Sequence, residues 1–208
     1  MHSIYSDGVL IPSEILQRLT VKGFEVVAIT DHADNSNIEE ILKKLIKVKN
    51  DFEEEITFLP GVELTHVPPK LIPALAKKAK EEDFLVVVHG ETIVEPVREG
   101  TNIAAVSCPD VDILAHPGLI TEKEIQLAKD NDVFLELSAR KWHCLGNGRL
   151  ALLNKNYRAK LLVNSDSHTP SDFLDQLMIK KVILGSGLND DDIIEICEKN
   201  SRELIKRF

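Results

Sequence analysis

The stretch Val26-Val27-Ala28-Ile29-Thr30-Asp31-His32 decides how this chain is read. Its first five residues, all but Ala28 β-branched, form a run without polar alternation, as a strand buried on both faces requires. The run then ends in a carboxylate and an imidazole. Behind Ser36, apolar residues at Ile38, Ile41, Leu42 and Leu45 keep helical spacing, with Glu39 and Glu40 four residues before Lys43 and Lys44. Strand, polar end and amphipathic helix make one βα unit.

Working outward, the unit repeats. Apolar runs at Val26–Thr30, Ile56–Leu64, Phe84–Val88, Ile113–Ala115, Val133–Leu137 and Leu161–Asn164 alternate with helical patterns, and Lys181–Leu184 reads as a short extra strand. Ser13 reads as the cap before Ile15, Leu16 and Leu19, with Gly23 closing that helix, and Ser36 as the cap of the next. Thr121 and Glu124 have the spacing of a capping box, and Asn189 with three aspartates opens the last helix. Regular βα repetition without a Gly-x-Gly-x-x-Gly turn favours a βα barrel over a dinucleotide-binding open sheet. No Gly/Ser linker or low-complexity tract divides residues 1–208, so the sequence predicts one domain.

Composition narrows the class. The 208 residues are 43% hydrophobic and 28% charged, with a formal net charge of −9. No apolar run approaches the roughly twenty residues of a bilayer span, so no membrane partner is expected. Three widely spaced cysteines, without a Cys-x-x-Cys pair, argue against a disulfide framework and for a cytoplasmic protein. The negative charge disfavours non-specific binding to nucleic acid.

The strand ends carry the chemistry. Asp31-His32 closes the first run, Glu63 lies in Pro-Gly-Val-Glu, and His89 follows Phe84–Val88. His116-Pro117-Gly118 follows Ile113–Ala115, and Ser165-Asp166-Ser167-His168 follows Leu161–Asn164. In a βα barrel these C-terminal ends share one face, where active sites are built. Imidazole with carboxylate suits Zn, Mn or Fe, and the donors are too many for one ion, so two or three divalent ions are expected.

With these residues in view, the chain resembles the PHP (polymerase and histidinol phosphatase) family of metal-dependent phosphoesterases. The family's motifs run D-L-H-x-H-S-x-x-S-D-G, T-D-H, G-x-E, a lone His, A-H-P, E-x-N and S-D-x-H. Here they stand as Met1-His2-Ser3-Ile4-Tyr5-Ser6-Asp7-Gly8, Thr30–His32, Gly61–Glu63, His89, Ala115–Pro117, Glu136–Ser138 and Ser165–His168. The resemblance implies a distorted, seven-stranded TIM-like (βα) barrel. It implies that His2, Glu63 and Asp166 hold one ion, that Glu63 bridges to a second held by His89 and His116, and that Asp7, His32 and His168 hold a third. Asp31 is expected to orient ligands rather than bind metal.

Two departures stand out. The family's first motif has two histidines and this sequence begins after the first, so a barrel without its first strand and a weakened first metal site are expected. Ser138 stands where asparagine is common.

The resemblance implies hydrolysis of a phosphate ester by a metal-bridging hydroxide, with Glu63, Asp166 and Asp31 serving the reaction. Arg140, Lys141 and Trp142 are expected at the substrate, since arginine grips phosphate through paired hydrogen bonds. A small phosphomonoester of the histidinol phosphate kind suits a compact barrel. A nucleotide or oligonucleotide phosphodiesterase is the alternative, with nucleic acid the less favoured partner because no Lys/Arg cluster adjoins the motifs. A catalytically impaired metal-binding scaffold is the other alternative. A metal amidohydrolase fits the order of the motifs less well. His66 reads as a loop histidine and His143 as a residue of the pocket wall.

Overall fold

A computed structural model describes residues 1–52 and 56–208. Among the described residues six strands form one sheet: β1 (Val26–Ala33), β2 (Thr57–Leu64), β3 (Leu85–His89), β4 (Ile113–Ala115), β5 (Phe134–Ser138) and β6 (Leu161–Asn164). They lie side by side in chain order and every pairing is parallel. After each strand comes a helix: α2 (Ile38–Asp51), α3 (Ile72–Lys80), α4 (Thr101–Val106), α5 (Glu122–Asp130), α6 (Asn147–Tyr157) and α7 (Gln176–Gly185). Before β1 stands α1 (Pro12–Val21), and a helical stretch from Asp190 to Ile205, with a π turn at Glu195–Asn200, ends the chain.

Period-two alternation sorts the strand residues into two layers. Val86 and Val88 of β3 join the large cluster between sheet and helices, together with Ile29, Leu114 and Leu135. Leu85 and Val87 face the other way, into a cluster with Ile113, Ala115, Phe134 and Leu162 that fills the inside of the curl. Both faces are buried, which is why the strands read as unbroken apolar runs.

The curl stops short of closing. The Met1 carbonyl accepts from the Thr30 amide at 2.8 Å, and the His2 amide donates to the Ser167 carbonyl at 2.8 Å. The opening residues thus span from β1 to the segment after β6, which do not pair with each other. A cavity of about 280 Å³ lies here, lined by Val26, Ala28, Leu85, Val87 and Val163 among others. The architecture of the described residues is a distorted TIM-like half-barrel of six strands without a closing strand.

Three details differ from the sequence reading. Lys181–Leu184 belongs to α7, whose start is capped by Asp175 accepting from the Met178 amide; only Ile183 of the helix is fully buried. Ser13 lies inside α1, which begins with Pro12 at its first turn, where a missing N–H is harmless. Ser36 bonds Asp34 rather than capping α2, whose N-cap position is Asn37. The Thr121–Glu124 capping box is present, as is one at Asn189 with Asp192. Among the described residues no helix is long and apolar enough to cross a membrane.

Candidate metal centre

Parallel register brings the strand ends level. His32 on β1 pairs across to Glu63 on β2, and His89 on β3 to Ala115, the residue before His116. Gly90 makes the last step possible: a Cβ there would stand 2.3 Å from the Ala115 carbonyl oxygen, and its amide donates to that oxygen at 3.0 Å. His116 and Asp166 adopt left-handed backbone, φ 28° and 47°. Such strain in non-glycine residues collects at functional sites.

Three donor sets result. His2, Glu63 and Asp166 are all buried, with His2 Nε2 2.9 Å from Asp166 Oδ1 and 3.2 Å from Glu63 Oε2. His2, Asp7, His32 and His168 form a second, with His168 Nε2 3.1 Å and His32 Nε2 3.6 Å from Asp7 Oδ1. His89, His116 and His143 form a third. The structure therefore brings together His2, Asp7, His32, Glu63, His89, His116, Asp166 and His168, and adds His143.

Backbone and hydroxyl groups turn the rings. The His168 Nδ1 meets the Asp166 carbonyl at 3.0 Å, and His89 Nδ1 meets that of Gly90 at 3.2 Å. A carbonyl only accepts, so each Nδ1 carries hydrogen and each neutral ring offers a bare Nε2. The Thr65 hydroxyl donates to the Glu63 carbonyl at 3.1 Å and so accepts from His32 Nδ1 at 2.6 Å, leaving the His32 Nε2 lone pair facing inward. Orienting contacts of this kind are the usual surroundings of a metal-binding histidine.

The electrostatics ask for a cation. Burial lowers His32 to about 4, whereas carboxylates from Glu136, Glu63 and Asp166 overcome burial and push His116 up to about 9. Burial alone would raise Glu63, yet His2, His32 and His116 hold it well below the ordinary carboxylate range. Among the described residues, buried Glu63 Oε1, Glu136 Oε1 and both ring nitrogens of His116 have no hydrogen-bond partner. His116 Nδ1 stands 3.6 Å from Glu136 Oε1, too far for a hydrogen bond. A divalent cation would take up orphaned buried lone pairs of this kind. The donor set fits one or more divalent ions.

The remaining residues fall into place around this centre. Asp31 spends its oxygens on the Ser3 amide, the Ser3 hydroxyl and the Ser6 hydroxyl, each at 2.7 Å, and so anchors the opening loop. Arg140 lines the open cavity with Asp7, His32, His89 and His168; its Nη1 donates to the Asp166 carbonyl at 3.0 Å, and Nε lies 3.4 Å from Asp166 Oδ2. Lys141 and Trp142 lie outside that cavity, the ammonium 5.2 Å from the centre of a half-exposed indole. Asn147 clamps Ser138 through the amide and carbonyl of its backbone, at 3.0 and 2.8 Å. His66 lines the cavity too, 3.7 Å from Glu95, which sequence reasoning did not single out.

A curled parallel sheet with a buried histidine–carboxylate cluster at its strand ends is consistent with the fold of a metal-dependent phosphoesterase. The chain belongs to the PHP domain family, whose model matches residues 1–205. It is 44% identical over 211 residues to the uncharacterized protein MJ1295 of Methanocaldococcus jannaschii, covering 100% of this chain and 97% of that one. To Ribonuclease P protein component 3 of Methanosarcina barkeri it is 26% identical over 200 residues, covering 89% of this chain and 78% of the relative. A chain from archaeal Ribonuclease P with mature tRNA superposes with a TM-score of 0.70 at 17% identity, over 95% of this chain and 88% of that one. These relatives overturn the expectation that nucleic acid is the less favoured partner. The lack of a Lys/Arg cluster beside the motifs is a poor guide, because residues distant in sequence meet in the fold. Net charge is an average that says nothing about a local contact.

Proposed function

We propose that this chain is a metal-dependent phosphodiesterase acting on nucleic acid. The observation that carries the reading is the unpartnered polar interior at Glu63, His116 and Glu136. Leaving such groups unsatisfied costs about 1–3 kcal/mol each, which a fold without metal chemistry has no reason to retain. The relatives named as Ribonuclease P components support the choice of nucleic acid over a small phosphomonoester.

In this reading two or three divalent ions, Zn, Mn or Fe, are held by His2, Glu63 and Asp166, by Glu63, His89 and His116, and by Asp7, His32 and His168. Divalent ions so placed would polarise a phosphoryl oxygen and make hydroxide available near neutral pH. Asp31 keeps the opening loop, and with it His2 and Asp7, in position. Arg140 contributes guanidinium N–H groups at the cavity wall for the non-bridging phosphate oxygens. Lys141 and the exposed Trp142 extend the contact outward, the lysine to a neighbouring phosphate and the indole to an unstacked base.

Short single-stranded RNA and DNA, incubated with the purified chain and Mn²⁺ or Zn²⁺, test this. Cleavage is expected, falling at least a hundredfold in Glu63→Gln and Asp166→Asn. No cleavage of any oligonucleotide by fully metal-loaded protein would refute it. The names of the relatives favour one second reading, a metal-holding component of a nucleic acid–protein assembly; RNA binding without cleavage in the same assay identifies it.

A further inference from the structure

Two side chains that reach the centre from loops, not strand ends, are left over by the ligand sets that the family resemblance implies. His143 sits in a short 3₁₀ turn (His143–Gly146) after β5, buried, with its Nδ1 2.8 Å from the hydroxyl of buried Thr92. That contact fixes the ring with Nε2 toward the cavity. Its ring centre is 4.3 Å from that of His116, which in turn is 4.3 Å from that of His89. One donor atom from each of these three histidines lies within 4.8 Å of the others. First-row ions bind imidazole at about 2.0–2.1 Å, so such a grouping is close to what one ion needs.

Glu95 arrives from the loop after β3. Its Oε2 is 3.2 Å from His89 Nε2 and its Oε1 is 3.5 Å from His143 Nε2. The His89 Nδ1 hydrogen is committed to the Gly90 carbonyl, so a bare Nε2 faces a carboxylate oxygen. Two lone-pair donors held this close need a cation between them. His116, 3% exposed, is an independent sign, since neither of its ring nitrogens has a partner among the described residues.

We propose that His143 and Glu95 are metal ligands, which join His89 and His116 in a site of three imidazoles and a loop carboxylate. Thr92 is the positioning residue of His143. Three imidazoles suit Zn better than Mn, which prefers oxygen donors, so this position selects for Zn. The inference rests on metal binding alone and stands whether or not the chain hydrolyses nucleic acid.

The test uses metal titration without any activity readout. Full-length metal-free protein and the variants His143→Ala, His143→Gln, Glu95→Gln and Thr92→Val are titrated with Zn²⁺ against a chelating dye and with Co²⁺ by visible absorption. Both His143 variants should weaken one Zn²⁺ site at least tenfold, alter the Co²⁺ spectrum and narrow the preference for Zn²⁺ over Mn²⁺. Glu95→Gln, half-exposed and so harmless to folding, should alter the same Co²⁺ bands, and Thr92→Val should weaken the site less than loss of His143. Unchanged Zn²⁺ affinity and Co²⁺ spectrum in His143→Gln and Glu95→Gln would overturn the proposal.

Discussion

A single hydroxyl shows how much of this centre is decided one residue at a time. Thr65 donates to the Glu63 carbonyl, and its oxygen is thereby left to accept from His32 Nδ1. One hydrogen bond on the neighbouring strand thus dictates which nitrogen of His32 faces Asp7. Thr65→Val keeps the shape and removes the acceptor, so the ring loses its fixed tautomer. Affinity for the ion near His32 should fall about tenfold or more, with Thr65→Ser close to the parent. Competition with a chelating dye measures both. Equal affinities in all three proteins would show that the ring is held by packing alone. Arg140 teaches the complementary lesson: from the sequence it reads as a free phosphate grip, whereas the fold ties part of its guanidinium to Asp166.

At the scale of elements, close approach of backbones sets the geometry. A Cβ at Gly90 would meet the Ala115 carbonyl at 2.3 Å and the Pro117 Cα at 2.9 Å, neither able to swing aside. Gly90→Ala should therefore push the end of β3 from β4 and destabilise metal-free protein by about 2–4 kcal/mol, read as a lower urea midpoint. A midpoint within experimental error of the parent would mean that the two ends yield. The strands and their polar ends were legible in the sequence because burial on both faces leaves continuous apolar runs, and a barrel forces every run to finish on one side. Glu63, His89, His116 and Asp166 could be located for that reason. His143 could be read only as a residue of the pocket wall and Glu95 not at all, because they sit in loops whose path no periodicity encodes. Lys181–Leu184 misled for a related reason: four residues with two β-branched members fit a strand or a helix, and only the Asp175 cap decides.

Across the whole molecule the centre couples metal, protons and stability. Without metal, His116 has its pKa raised from 6.5 to about 9 by Glu136, Glu63 and Asp166 against the pull of burial, and His2 is raised by Asp166 and Glu63. A proton held more tightly in the folded state stabilises fully below pH 6.5, and that contribution is lost as pH climbs toward 9. His32 works in the opposite direction. Burial lowers it to about 4, so between pH 6.5 and 4 the unfolded chain takes up a proton that the folded chain refuses, and stability falls as the solution is acidified. Metal-free protein should accordingly be most stable near pH 6.5, with its melting temperature declining on both sides. Bound divalent ions would replace the proton as the positive charge among these carboxylates. They should abolish the alkaline decline and steepen the acid one, because protons must then displace metal from its ligands. Thermal unfolding from pH 4 to 9, with and without EDTA, measures both curves, and metal-free His116→Ala should have a shallower alkaline limb, keeping only the part that His2 contributes. A metal-free melting temperature that stays level or rises between pH 6.5 and 9 would show that the carboxylates around His116 do not hold a proton in place of the ion.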